Sequence, residues 1–174
     1  RVYAAAGMKA VEQSGGRLNR SFEEREVHYP EGRVCREFRC TAWLEDVDAI
    51  INVCKLKTHG MMAMSCGAKN RFGAIPGTMK PEYHFRYPDP RDFARMIVDL
   101  DEYFKPRLTV VDAVECMEGN GPTGGSARAV GCLFASDNAF ALDSVAAQLL
   151  GFAGKVPVLE KGKARGAFGA VRLC

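Results

Sequence analysis

Two continuous apolar runs, 48–56 (DAIINVCKL) and 108–114 (LTVVDAV), stand on either side of a strongly periodic segment, and this arrangement constrains the fold more than any other feature. Runs of this length bounded by charge are the sequence form of strands buried on both faces. Between them, Phe93, Met96, Ile97, Leu100, Tyr103 and Phe104 recur at helical spacing and draw one apolar stripe along a helix over 91–104. Asp89-Pro90 opens that helix and Pro106 follows it. A third apolar run, 130–135, precedes a helical segment over 138–150, capped by Ser136-Asp137, striped with Phe140, Val145, Leu149 and Leu150, and ended by Gly151. Buried strands alternating with amphipathic helices predict an α/β layered fold whose sheet is largely parallel and flanked by helices.

The amino-terminal third reads differently. Residues 3–14 predict a helix stopped by Gly15-Gly16. The runs 25–29 and 33–40 flank Pro30-Glu31-Gly32 and suggest an antiparallel edge pair. At 174 residues the prior is a single domain, 1–174, and the opening Arg1 reads as the start of a fragment of a longer chain. No apolar run approaches the roughly 18 residues that span a bilayer, so no membrane segment is expected. The seven cysteines are odd in number and form no C-x-x-C pair, which argues against a zinc or iron–sulfur motif and for reduced thiols in a cytoplasmic protein.

Charge is the feature that points to function. The chain carries only +3, but segment 55–86 holds Lys55, Lys57, Lys69, Arg71, Lys80 and Arg86 against the single acid Glu82, a local +5. It also holds His59 and His84, two of the three histidines. The segment leaves the carboxyl end of the 48–56 strand, where ligands of parallel sheets bind. On an extended stretch Lys55, Lys57 and His59 share one side. Converging cations repel one another unless an anion neutralises them, so Lys55, Lys57, Lys69 and Asn70 are candidate ligands for a carboxylate- or phosphate-bearing molecule. A second loop, 115–126, is rich in glycine and follows the 108–114 strand. Glu118, Gly119 and Gly121 in it are candidates to close over the ligand, although the spacing is neither a dinucleotide fingerprint nor a P-loop.

Other uses of these residues stay open. His59 and His84 could act as an acid–base pair or, with a carboxylate such as Asp112 or Glu115, as part of a metal-dependent enzyme. Asp112, Glu115 and Glu118 could instead pair with Lys55 or Lys57 or hold a hard cation. Asp143 reads as a partly buried hydrogen-bonding residue. Nucleic acid is not an expected partner: a pI near 8.5 is modest and no binding signature appears.

Several of these stretches also resemble, in order, a family catalogued as domain of unknown function 362. They are DAIINVCKLKTH at 48–59, AKNRFG at 68–73, His84, Val111-Asp112-Ala113, EGNGP at 118–122, the segment 137–151, and ARGAFG at 164–169. The resemblance covers roughly 45–170 and implies an α/β fold. It also implies that ferredoxin-type modules with 4Fe-4S clusters often accompany such domains, outside this fragment. It supplies no reaction. A non-catalytic scaffold that docks a ferredoxin module on the basic segment is therefore the alternative to a small-anion pocket.

Overall fold

A computed structural model describes residues 2–168. Two short helices, α1 (Val2–Ala5) and α2 (Lys9–Gln13), replace the single helix expected over 3–14. The break lies at Gly7, whose φ of 68° is left-handed and ends the first piece; Gly15, at 89°, ends the second as expected. Strands β1 (Glu24–His28) and β2 (Glu37–Thr41) then form the anticipated antiparallel pair, with Val27 opposite Phe38.

The rest of the chain builds one sheet and the helices beside it. Strands β3 (Ile51–His59) and β4 (Ala63–Ser65) form a hairpin. A 3-10 turn over Lys69–Ala74, helix α3 (Lys80–Arg86) and helix α4 (Pro90–Phe104) follow. Strands β5 (Leu108–Glu118) and β6 (Ser126–Ser136) come next, then helices α5 (Ala139–Leu149) and α6 (Pro157–Arg165). The sheet order is β4-β3-β5-β6. Its central pair, β3 and β5, is parallel, with Val53 opposite Val110, while β4 and β6 extend it antiparallel on either side. The α/β class stands, and the sheet is mixed, its parallel character confined to the two apolar runs.

Helix α4 follows its sequence pattern. Asp89 caps it by accepting the Arg91 N–H at 2.6 Å, and Phe93, Met96, Ile97 and Leu100 are fully buried. Burial of each such side chain contributes about 1.5–3 kcal/mol. Its polar side has a task as well: the Asp99 carboxylate accepts the N–H groups of Arg33, Val34 and Cys35 at 2.9–3.0 Å, which ties the β1–β2 connection to the helix.

Several boundaries differ from expectation. The first apolar run starts its strand at Ile51 and continues to His59, so the basic residues lie on β3 itself. Strand β5 runs on to Glu118 and β6 begins at Ser126, which shortens the glycine-rich loop to 119–125. Asn138, not Ser136-Asp137, caps α5 by accepting the Ala141 N–H at 2.9 Å. The buried side of α5 is Phe140, Leu142, Ala146 and Ala147, with Val145 and Leu149 facing outward.

The two apolar strands are also not covered on both faces. Leu56, Val111 and Ala113 are buried beneath α5, but Ile51, Val53, Val114 and Leu133 remain 53–66% exposed. Among the described residues the helices pack on one side of the sheet only.

Candidate functional site

The carboxyl half of β3 forms one wall of a cavity of about 370 Å³. Lys55 and Lys57 come from β3, Cys66 from the end of the β4 segment, Lys69 and Phe72 from the 3-10 turn, and Lys80 from the first residue of α3. Pro122 of the glycine-rich turn reaches the same cavity, so the two segments singled out by sequence do meet. The turn that carries Lys69 is held from both sides. Asp143 on α5, fully buried, accepts the Gly67 N–H at 2.7 Å and the Ala68 N–H at 3.0 Å. On the far side Asn70 donates to Asn52 Oδ1 at 2.7 Å and to the Val53 carbonyl at 3.2 Å. Lys69 therefore rises from a backbone fixed at both neighbours.

The cavity's electrostatics set it apart. Larger hollows of 510–610 Å³ lie elsewhere, but each mixes acids with bases: Glu160 with Lys163, Glu26 and Glu82 with Arg39 and Arg86, Asp48 with Arg107. The cavity beside β3 is lined by four lysines and no acid. Lys55 is neutralised from outside, since its ammonium lies 2.9 Å from Asp112 and donates to the Glu115 carbonyl at 2.8 Å. Lys57, Lys69 and Lys80 are partly buried and have no carboxylate partner among the described residues. Burial, reinforced by the charges of Lys80 and Lys57, pushes the Lys69 ammonium down to about 8. The Lys80 ammonium sits 5.6 Å from the centre of the Phe72 ring, a cation–π contact that steadies its stem.

The remaining charge of the basic segment is turned inward. Arg71 is buried, with its Nε 3.6 Å from Asp101 Oδ1, and burial holds the Asp101 carboxyl up at about 7. Arg71 belongs to the packing of α4 rather than to a basic surface.

The other expected residues have local duties. His59 turns its ring back onto the β3–β4 connection, where Nδ1 accepts the N–H groups of Met61 and Met62 at 3.2 Å. That places the ring hydrogen on Nε2. Burial and then Lys69 lower the His59 imidazolium to about 4, so the ring is neutral at ordinary pH. His84 stacks on Phe93 at 4.7 Å, outside the cavity lining, and burial followed by Lys69 and Lys80 lowers it too. His59 and His84 feel each other's charge, but no group of three or more His, Cys, Asp or Glu able to hold a metal forms among the described residues. Asn70 spends both amide hydrogens on β3 and positions Lys69. Glu118 pairs with Arg128 at 3.0 Å, away from the cavity. Gly119 and Gly121 bring the turn against β3: Thr58 Oγ1 donates to the Gly119 carbonyl at 2.9 Å, and a Cβ at Gly121 would collide with the Thr58 carbonyl.

Lys80 was counted in the basic segment without being singled out, and the cavity places it beside Lys69. Cys54 and Cys66 also line the cavity and hydrogen-bond to each other, unoxidised. The six described cysteines are all unpaired, and Cys174 lies outside the described residues.

Comparison with known proteins confirms the family and shifts its extent, taking in the amino-terminal residues before 45 and ending at 148 rather than near 170. Residues 1–148 match the family described as "Domain of unknown function (DUF362)". A thylakoid-associated protein of Synechocystis sp. (strain ATCC 27184 / PCC 6803 / Kazusa) is 42% identical over 106 residues, which is 60% of this chain and 33% of that protein. The match thus spans about a third of the relative's length. No solved structure matches significantly. No helix among the described residues is long and apolar enough to cross a membrane.

Proposed function

The chain belongs to the DUF362 family, and we propose that its cavity beside β3 binds an anionic small molecule bearing a carboxylate or phosphate group. One observation carries this reading: the cavity is lined by Lys55, Lys57, Lys69 and Lys80 with no acid among its walls, while three larger hollows among the described residues each hold acids as well as bases. An uncompensated cation cluster in a partly buried site raises the free energy of the empty protein, and a bound anion removes that cost. Lys57 and Lys80 take the anion's charge with Lys69 facing the rest of the molecule, Lys55 contributes its field from the Asp112 pair, and Pro122 with Gly119 and Gly121 closes one end. His59 and His84 are not among the lining residues and have no part in holding the anion.

The alternatives fit the geometry less well. A scaffold that docks a ferredoxin module needs basic side chains presented outward, whereas Arg71 is buried and Lys55 is bridged to an acid. A metal-dependent enzyme built on His59 and His84 lacks a third ligand among the described residues. A 4Fe-4S cluster, if this domain works with one, belongs to a neighbouring module.

The test is thermal unfolding of the 174-residue chain in inorganic phosphate, glutarate and nucleoside monophosphates. A bound anion at 100 times its dissociation constant adds about 2.7 kcal/mol, roughly 5–10 °C for a domain of this size. A shift of that order, lost in Lys57→Met, is expected. A flat response to every anion would overturn the proposal. For location, the cytoplasmic expectation stands beside the thylakoid association of the relative, and fractionation of cells expressing the full-length protein separates a free from a membrane-bound form.

A further inference from the structure

We propose that Lys69 is an amine nucleophile, and that the anion held in the cavity is a 2-oxo acid whose carbonyl carbon condenses with Lys69 Nζ to form a Schiff base. The inference rests on the anion-pocket reading and names the substrate class of that same site.

Two features of the geometry support it, and two electrostatic effects agree with them. Lys69 reaches the cavity from a turn pinned by Asp143 on one side and by Asn70 on the other, so its stem starts from a fixed point. A nucleophile held in place needs less ordering to reach its carbon. Lys57 from β3 and Lys80 from α3 line the same cavity and supply charge for a carboxylate, with no carboxylate partner among the described residues. The same two charges, with burial, lower the basicity of Lys69, so that free amine is present near neutral pH. The rival nucleophile Cys66 is turned off, because its hydrogen bond with Cys54, burial and the nearby Asp143 raise its thiol well above the ordinary range.

The step balances without any further reagent. The lone pair of neutral Nζ forms the C–N bond as the carbonyl π pair moves to oxygen. A proton passes from nitrogen to that oxygen through water, giving the carbinolamine. A second proton on the hydroxyl lets it leave as water while nitrogen's lone pair forms the C=N bond. The product is the N-protonated imine, its second proton drawn from solvent, so the sum is one amine, one carbonyl and one proton giving one iminium ion and one water. The protonated imine is an electron sink for a carbanion at C3, the carbon next to the imine carbon, so making or breaking a carbon–carbon bond at C3 of a 2-oxo acid is the reaction class that follows.

Reductive trapping tests this on the chain as it exists. The protein is incubated with 2-oxoglutarate and sodium cyanoborohydride, and the labelled peptides are mapped by mass spectrometry. Glutarate, which has the carboxylates but no carbonyl, is the parallel arm. At pH 7.5 the free-amine fraction of a group titrating near 8 exceeds that of an ordinary lysine on the order of a hundredfold. Lys69 is therefore expected to label at least tenfold faster than the exposed Lys105 and Lys155, in a reaction that rises with a midpoint near pH 8 and vanishes in Lys69→Arg. If glutarate and 2-oxoglutarate both raise the melting temperature but no adduct forms on Lys69, or label falls equally on Lys57, Lys80, Lys105 and Lys155, the Schiff-base inference fails and the pocket stands. If neither compound changes the melting temperature and Lys69 is unlabelled, both fail. Because the peptide map reads the wild-type chain, the test does not depend on whether the arginine variant folds.

Discussion

Replacing Lys69 by methionine should make the protein more stable, the opposite of what most substitutions at partly buried positions do. In the folded chain burial and the neighbouring lysines lower the Lys69 ammonium from 10.5 to about 8. At roughly 1.36 kcal/mol per pKa unit, that displacement corresponds to a folded-state penalty of about 3 kcal/mol at most. The sign follows from proton counting. Below pH 8 the amine is protonated in both states and the folded state bears the whole penalty. Between pH 8 and 10.5 the folded state has released its proton and the unfolded state still holds one, so stability rises with pH. Above 10.5 both are neutral and the penalty is gone. Methionine has a similar stem and no charge, so Lys69→Met is expected to gain up to about 3 kcal/mol at pH 7, a rise in Tm of roughly 6–12 °C. That advantage should shrink steadily between pH 8 and 10.5. Urea denaturation of both proteins across that range isolates this group together with its coupling to Lys57, Lys80, His59 and His84, because the remaining titrating residues cancel in the difference. A variant less stable than wild type at pH 7, or a difference that does not change with pH, would refute an uncompensated ammonium at this position.

Two further substitutions probe what surrounds the site. Asp143→Ala leaves the Gly67 and Ala68 N–H groups without their acceptor, at about 1–3 kcal/mol each; urea denaturation should show a total loss of roughly 2–5 kcal/mol with weakened anion binding, and a loss below about 1 kcal/mol would mean that the turn is not held by this carboxylate. On β3, Val53→Thr on the open face (66% exposed) should cost less than about 0.5 kcal/mol, against about 2–5 kcal/mol for Leu56→Ala on the covered face, where Leu56 is fully buried. Equal costs would contradict a sheet covered on one side.

What the sequence revealed and what it hid divide along physical lines. The helix over 90–104 was legible because its stripe of large apolar residues repeats at 3.6, and the same residues are buried. The strands 48–56 and 108–114 were legible as strands, but not in their extent or in the exposure of one face. A run such as INVCKL is apolar on both sides of the pleat, and nothing local says whether a second layer will arrive to cover Ile51 and Val53. Alternation correctly placed Lys55 and Lys57 on one cavity wall, while His59, of the same parity, was drawn off by the N–H groups of the turn after it. The role of Lys80 and the anchoring by Asp143 depend on contacts 11 and about 75 residues away along the chain, which no spacing rule encodes. The inward turn of Arg71 was hidden for the same reason: its acid, Asp101, lies two helices later, on α4.

The pattern of neutralisation inside the basic segment separates structural from functional charge. Arg71 sits with Asp101 and Lys55 with Asp112, so each has a fixed counter-charge supplied by the fold. Lys57, Lys69 and Lys80 have none among the described residues, although the exposed Glu118 lies on a neighbouring strand and is spent instead on Arg128. The absence of an acid at the cavity also limits how a ligand sits. An anion placed directly over Lys69 would restore its ammonium toward ordinary basicity and remove the free amine. A ligand whose charge rests on Lys57 and Lys80, with an uncharged carbonyl toward Lys69, leaves the amine depressed while neutralising its neighbours only in part. A 2-oxo acid has that division of charge, one atom away from a reactive carbon. A simple phosphate or carboxylate does not, so the two kinds of ligand should bind the same walls and differ in what Lys69 can do to them.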